Sequence, residues 1–282
     1  MGGILGHKLR FLEGELVMKK ALTVLALTCV VLLTVAFTLT PKCLAAIGTE
    51  SLAGLWLFEE GAGETASDSS GNGHDGTLLG DPEWVKGKFG QALEFDGVDD
   101  LVDTEYIADD QNGAWTVMCW AQLTGANPHG GYRLLAGRSN GTPQLWVHDT
   151  DTGLTMHKTE NDFQKCLGTT GIPEEWTHLA GTFDGTTIKL YVNGVEEESM
   201  KPAGDPIVNI YSVQIGGFDD TLHGGGWKGC WSNAIIDEVA LFSAALTGNE
   251  IKSIMNSGVE ATVLAVSSAG KLADTWGRIK TE

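Results

Sequence analysis

Short apolar or alternating runs, separated by turn signals, make up most of the chain after residue 50. The clearest runs occupy residues 55–58, 92–95, 116–123, 144–148 and 235–242, and Gly- and Asp-rich segments lie between them. Runs of this length bounded by turn residues are typical of strands. The pattern therefore predicts an all-β fold, a sandwich of two antiparallel sheets with one short helix near its end.

The strongest hairpin signal is the Asn193–Gly194 dipeptide. Alternating residues precede it at 187–192, and a further run follows at 195–197. Asn-Gly favours a type I′ turn because both central residues take positive φ. We therefore predict two paired strands joined by this two-residue turn.

One segment has helical periodicity instead. Thr247 and Glu250 have the spacing of a capping box, Ile251 and Ile254 share a face, and Gly258 follows. These signals predict a helix of about three turns that ends at Gly258.

The first 46 residues have the pattern of a secretory signal segment. Met18, which we take as the true start, precedes two lysines, the uncharged run 21–40 and small residues ending at Ala46. This pattern predicts cleavage after Ala46 or one residue earlier, and an exported protein that is secreted, periplasmic or on the cell surface. The alternative is that the apolar run is retained as a membrane anchor.

The predicted organisation has three parts. They are the signal segment at residues 1–46, one domain at 47–258 and a tail at 259–282. Within the tail, residues 263–266 have the composition of a final strand, and the alternative is an attachment segment.

Charge narrows the classes of partner. Asp and Glu number 37 against 18 Lys and Arg, for a net charge of −19. This excess argues against nucleic acid, whose phosphates are bound through Lys and Arg. It is compatible with a cation ligand or a neutral glycan.

Three cysteines follow the signal segment. Cys119 lies in an apolar run, where a buried free thiol is common. Cys166 and Cys230 lie in loop-like, Gly-containing surroundings. Because an exported protein can form disulfides, we predict a Cys166–Cys230 bridge.

An ordered series of motifs resembles the laminin-G-like (LamG, concanavalin A-like) jelly-roll family. The motifs lie at residues 54–60, 68–76, 87–97, 175–183, 190–194 and 236–242. The resemblance covers about residues 51–258. It implies two antiparallel sheets of about a dozen strands packed face to face, with a Greek-key path.

The resemblance also implies a structural calcium ion. The ion would be held by the loop at 68–76 together with an acid on the late strand. The implied ligands are the carboxylates of Asp68 and Asp237 and backbone oxygens near Gly71, Asn72 and His74. Calcium prefers such oxygen donors. The alternative for this loop is a hydrogen-bonded Asx turn without an ion.

Aromatic residues in loops are the candidates for sugar contact. Trp227 and Trp231 lie in a Gly-rich loop, and Tyr132 follows two glycines. Sugars stack on such rings while polar neighbours bind their hydroxyls. The alternative is that these rings pack in the interior.

A catalytic alternative rests on Glu94, Asp96 and Asp99, which resemble the acid motif of concanavalin A-like glucanases. The third acid is Asp rather than Glu, and Gly97 favours a turn. Retaining chemistry needs carboxyls on a rigid element. We therefore expect a non-catalytic binding module with a glycan ligand. The alternative is a cell-surface protein–protein adhesion module, and a glycoside hydrolase is less favoured.

Overall fold

A computed structural model describes residues 47–106, 113–127, 131–138, 142–148, 151–159, 162–172, 174–204, 212–226 and 228–264. The chain divides into two compact units, Met1–Ala45 and Ala46–Glu282, and the described residues all belong to the second. The predicted signal segment and residues 265–282 of the predicted tail lie outside the described residues.

Strands dominate the described residues. The first nine are β1 (Leu52–Trp56), β2 (Thr65–Ala66), β3 (Gly76–Leu79), β4 (Glu83–Lys86), β5 (Gln91–Asp96), β6 (Leu101–Asp103), β7 (Trp115–Leu123), β8 (Arg133–Arg138) and β9 (Gln144–Val147). The others are β10 (Thr152–Thr159), β11 (Asp162–Leu167), β12 (Thr177–Phe183), β13 (Ile188–Val192), β14 (Val195–Met200), β15 (Val213–Ile215), β16 (Phe218–Asp219), β17 (Lys228–Gly229) and β18 (Asn233–Phe242). The helical elements are α1 (Gly248–Ser257), two 3₁₀ turns (Thr49–Ser51 and Asp220–His223) and a π turn (Glu260–Leu264).

Two eight-stranded antiparallel sheets form the sandwich. The first sheet has the order β14-β13-β12-β7-β18-β5-β4, and β1 pairs with β18 as well. The second sheet has the order β11-β10-β9-β8-β15-β6-β3-β2. The predicted all-β jelly-roll sandwich with a short C-terminal helix is therefore confirmed.

Alternation along the strands builds the core between the sheets. In β5, for example, Leu93 and Phe95 are fully buried in the core, whereas Glu94 and Asp96 alternate with them. Each large apolar side chain buried in this way stabilises the fold by roughly 1.5–3 kcal/mol. The alternate side chains of each strand lie on the opposite, outer face of its sheet.

The two local motifs adopt their predicted structures. Asn193 and Gly194 have φ values of 48° and 72°, as a type I′ turn requires. Thr247 and Glu250 form both bonds of the capping box at the start of α1. Ile251 and Ile254 then pack into a second apolar cluster on the outer face of the first sheet.

The packed structure continues past residue 258. Val259 and Val263 are buried in the same cluster as α1. The strand predicted from residue 263 does not form over the described part, because residues 260–264 make a π turn instead. In the part of the chain that the structure describes, no helix has the length and apolar character needed to cross a membrane.

The predicted disulfide between Cys166 and Cys230 is not formed. All three described cysteines are free thiols. Cys166 points into the core from β11, whereas the adjacent Lys165 points to the outer face. Burial raises the pKa of the Cys230 thiol to about 11, and the Lys165 charge opposes this rise. Cys166 is thus a free thiol held in the core, and sequence spacing alone does not show which face of β11 it occupies.

His178 lies on β12 and faces the outer side of the first sheet, as Ala180 does. It is almost fully buried, its ring centroid is 5.2 Å from that of Trp120, and its backbone N–H donates to Asn193. Its Nδ1 atom has no hydrogen-bond partner among the described residues. Burial lowers the pKa of His178 to about 3, so the ring is neutral in the native state.

This burial predicts an acid-sensitive contribution to stability. The depressed pKa means that the contribution is present above an unfolded-state pKa of roughly 6.5 and is lost as the pH falls. Between pH 7 and 5 we expect the free energy of unfolding of the wild type to fall by about 2 kcal/mol more than that of His178→Gln. Urea unfolding at pH 7, 6 and 5 measures this difference, in which the other titrating groups cancel. Equal pH slopes for the two proteins would contradict the prediction.

Candidate functional site

The outer face of the second sheet carries an aromatic cluster assembled from three separate segments. Trp146 lies on β9 between Leu145 and Val147, which both face the core, so its ring lies on the opposite face. Lys165 reaches the same face from β11, and Tyr132 comes immediately before β8. Strand order thus brings together residues that are well separated in sequence.

Tyr132, Trp146, His148 and Lys165 form what we call the Tyr132 cluster. The Tyr132 ring centroid is 4.5 Å from that of Trp146, with the rings nearly perpendicular, and 5.4 Å from that of His148. The Lys165 ammonium is 3.9 Å from the Tyr132 ring centroid and donates to the tyrosine hydroxyl at 2.7 Å. Tyr132 remains 42% exposed. The cluster therefore presents an aromatic surface edged by polar groups.

Within the Tyr132 cluster, the Trp146 side chain is held in place by its surroundings. Its side chain is only 4% exposed, and its Nε1 donates to Thr155 Oγ1 at 2.7 Å. A Cβ atom at Gly153, which is paired with Trp146 across β9 and β10, would overlap the indole ring. Because Trp146 is held on several sides, the Tyr132 ring packs against a rigid surface.

Of the three aromatic residues predicted to contact sugar, the structure describes Tyr132 and Trp231. Tyr132 is exposed in the cluster. Trp231 is half-buried, and its ring lies where a Cβ atom at Gly217 would be. Trp227 lies outside the described residues. Sequence reasoning missed the roles of Trp146, His148 and Lys165, because only the pairing of β9, β10 and β11 brings them to Tyr132.

A second polar group on this sheet joins Asp103, Ser212 and His223. Ser212 Oγ donates to Asp103 at 2.6 Å, and His223 Nε2 is 2.9 Å from Ser212 Oγ and 2.8 Å from Asp103. A serine–histidine–acid relay uses opposite ring nitrogens for the serine and the acid. Here one nitrogen contacts both, so the geometry does not fit such a relay.

The loop at residues 68–76 is held together by its own hydrogen bonds. The Asp68 carboxylate accepts from the backbone N–H groups of Leu55, Ser70 and His74 and from the Ser70 hydroxyl. The His74 carbonyl accepts from Trp56 Nε1 at 2.9 Å. These bonds lower the pKa of Asp68 against the opposing effect of burial. Both oxygens of the Asp68 carboxylate and the His74 carbonyl thus already accept from N–H or O–H donors.

The two carboxylates predicted to share calcium lie on opposite sides of β1. On one edge of β1, Trp56 is bridged to Asp68, and on the other edge it pairs with Val239 of β18. Asp237 lies just beyond this pairing, in a bulge of β18 between its partners β5 and β1. The backbones of Asp68 and Asp237 are thus separated by β1, at about two strand spacings or roughly 10 Å.

Asp237 itself has the surroundings of a cation ligand. It is fully buried, accepts from the Phe89 N–H at 3.0 Å through one oxygen, and its other oxygen has no partner among the described residues. Burial raises the pKa of Asp237 to about 7 and that of its neighbour Glu238 to about 8. The Glu59 carboxylate adds to both increases. A buried acid with a free oxygen beside another carboxylate fits a hard cation such as calcium.

The acids of the glucanase-like motif are not arranged on one strand. Glu94 and Asp96 alternate on β5 and so share a face, but β5 ends at Asp96. Asp99 lies in the following turn, where Val98 N–H donates to Asp96 and Asp96 N–H donates to Asp100. The third acid is thus placed by a turn.

Comparison with known proteins agrees with this fold. The profile of the Concanavalin A-like lectin/glucanases superfamily matches residues 96–252, which is more than half of the chain. The chain belongs to this superfamily. No curated protein sequence matches the chain.

Solved structures with the same fold include several binding domains. Domain 4 of AbnA, an extracellular arabinanase from Geobacillus stearothermophilus solved with arabinotriose, is 22% identical, with a TM-score of 0.56 and coverage of 73% of this chain and 98% of that one. A botulinum neurotoxin DC binding domain in complex with rat synaptotagmin II is 14% identical, with a TM-score of 0.56 over 74% and 52%. A type C botulinum neurotoxin structure, described as dependent on two ganglioside molecules for cell entry, is 16% identical, with a TM-score of 0.57 over 74% and 51%. The chain spans about half of each toxin structure.

Proposed function

We propose that the protein is a non-catalytic carbohydrate-binding module and that the Tyr132 cluster is its sugar-contact surface. The observation that carries this proposal is the exposed Tyr132 ring held on Trp146, with Lys165 and His148 at its edge. A sugar presents an apolar face to such a ring and hydroxyls to the surrounding donors. Domain 4 of AbnA, solved with arabinotriose, supports this ligand class by analogy of fold.

The proposed module also includes a structural calcium ion at Asp237. Asp237 and Glu59 would supply carboxylate oxygens, and Glu238 lies beside them in the same bulge. The ion would neutralise buried negative charge and fix the β18 bulge against the β4–β5 turn, whose Phe89 N–H already donates to Asp237. This assignment moves the predicted calcium ion from the loop at 68–76 to the bulge.

We also propose that the protein is exported. The signal-like pattern at residues 18–46 supports a protein that acts outside the cell. The extracellular arabinanase domain and the toxin binding domains of the same fold are compatible with this location.

A glycan array tests the sugar-binding proposal against the adhesion alternative. We expect the wild type to bind a defined set of oligosaccharides, and we expect Tyr132→Ala to lose most of that signal. Val195→Ala is a matched control, because Val195 is 59% exposed on the first sheet. Silence of the wild type on the array, together with saturable binding to a purified cell-surface protein, would favour adhesion. Equal array signals from Tyr132→Ala and the wild type would contradict the assigned surface.

A further inference from the structure

A cleft at one end of the first sheet is lined by acids and by no described basic residue. Its volume is about 670 Å³, and it lies among β4, β5, the turn after β5, the loop after β7 and the start of β18. Three carboxylates, those of Asp96, Asp99 and Asp100, have ligand atoms within 4.8 Å of one another. Glu83 and Glu94 add negative charge beside them. Such close acids repel one another unless a proton or cation lies between them.

Asn233 provides an independent sign of a ligand. Its side chain lines the same cleft and is only 7% exposed. Its Nδ2 donates to the carbonyls of Gly125 and Ala126, at 2.8 Å and 2.9 Å, which fixes the orientation of the amide. Its Oδ1 is buried and has no hydrogen-bond partner among the described residues. A buried amide oxygen without a donor is unfavourable by about 1–3 kcal/mol.

The strand register directs this oxygen towards the acids. Asn233 on β18 is paired with Asp96 on β5, so both side chains lie on the same face of the sheet. The amide nitrogen is bonded to the loop that follows β7, on the other side of β18. The Oδ1 atom is therefore on the β5 side, where the carboxylates converge.

We propose that this cleft binds a calcium ion through Asp96, Asp99, Asp100 and the Asn233 amide oxygen. All four donors are hard oxygens, which calcium prefers, and water would complete its six to eight ligands. The ion would join the turn after β5 to the first residue of β18 and satisfy the buried amide oxygen. Asn233 lies four residues before Asp237, about 13 Å along a strand, so the two ions would be separate.

Calorimetric titration of the chelator-stripped full chain with calcium chloride tests this site. We expect Asp96→Asn/Asp99→Asn to lose one calcium-binding event, or to weaken it at least tenfold, and Asp237→Asn to retain that event. Glu174→Gln/Glu175→Gln is the matched control, because it removes two exposed negative charges elsewhere. The control should bind calcium as the wild type does.

The titration also defines the results that would overturn the site. The site would be contradicted if the wild type and Asp96→Asn/Asp99→Asn gave the same isotherm, including the case in which neither binds calcium. The site would also be contradicted if Asp237→Asn alone abolished every calcium-binding event. Asparagine preserves the shape of both side chains and can still accept the Val98 N–H at position 96. Should thermal melting show that the double variant is unfolded, Asp99→Asn alone gives the same test, since Asp99 is exposed.

Discussion

Trp56→Ala is expected to lower the free energy of unfolding by about 3–5 kcal/mol. Trp56 is fully buried in the core between the sheets, pairs with Val239 on one edge of β1 and is bridged to Asp68 on the other. Its Nε1 also donates to the His74 carbonyl. The substitution therefore removes core volume and the bond that attaches the loop at 68–76 to the sandwich. Denaturant unfolding followed by circular dichroism measures the loss.

Trp84→Ala is the matched control for this prediction. Trp84 lies on the edge strand β4, is half-buried and donates through Nε1 to the Gly63 carbonyl. The same substitution there should lower the free energy of unfolding by only about 1 kcal/mol. Equal losses in the free energy of unfolding at the two positions would contradict the central position of Trp56 in the core.

Calcium removal is expected to cause the second large loss of stability. Calcium at roughly 1,000 times its Kd stabilises a folded protein by about 4 kcal/mol. For a domain of this size, that corresponds to a decrease in Tm of about 8–16 °C when a chelator removes the ion. Thermal melts with excess calcium and with excess chelator measure the difference, and adding calcium back should restore the higher Tm.

Two variants locate the ion responsible for this effect. Asp237→Asn should lose the larger part of the calcium-dependent increase in Tm, because it removes the buried carboxylate with the free oxygen. Asp68→Asn should retain the increase, since Asp68 is already bonded to four donors of its own loop and of β1. If instead Asp68→Asn lost the calcium-dependent increase and Asp237→Asn retained it, the stabilising ion would lie in the loop at 68–76. A Tm that is the same in calcium and in chelator would exclude a stabilising ion at either place.

Local sequence signals predicted the elements that depend only on neighbouring residues. The turn at Asn193 and Gly194 follows from the positive φ that both residues tolerate, and the start of α1 follows from the Thr247–Glu250 capping box. Both are decided within a few residues. The alternation that buries Leu93 and Phe95 is likewise visible in the sequence, because strand period fixes which residues share a face.

The sites depended on pairings that the sequence did not show. The Tyr132 cluster requires β9 to lie between β8 and β10, and β11 to follow β10 at the sheet edge. Residues 152–167 lack a clean alternation, so β10 and β11 were missed. Asp237 gains its surroundings from a bulge in β18 that shifts the register by an amount the sequence does not reveal. The disulfide prediction was wrong for the same kind of reason, since the face that Cys166 occupies is set by the register of β11.

The affinity of Tyr132 variants for the best oligosaccharide from the array, measured by isothermal titration, decides whether the Tyr132 ring contacts sugar. Loss of a stacked ring should weaken binding by about 1–1.5 kcal/mol, or roughly tenfold, in Tyr132→Ala. Tyr132→Phe keeps the ring and removes only the hydroxyl bonded to Lys165, so its affinity should stay closer to that of the wild type. If all three proteins bind the oligosaccharide with the same Kd, Tyr132 is not the sugar-contact residue and the proposed surface is contradicted.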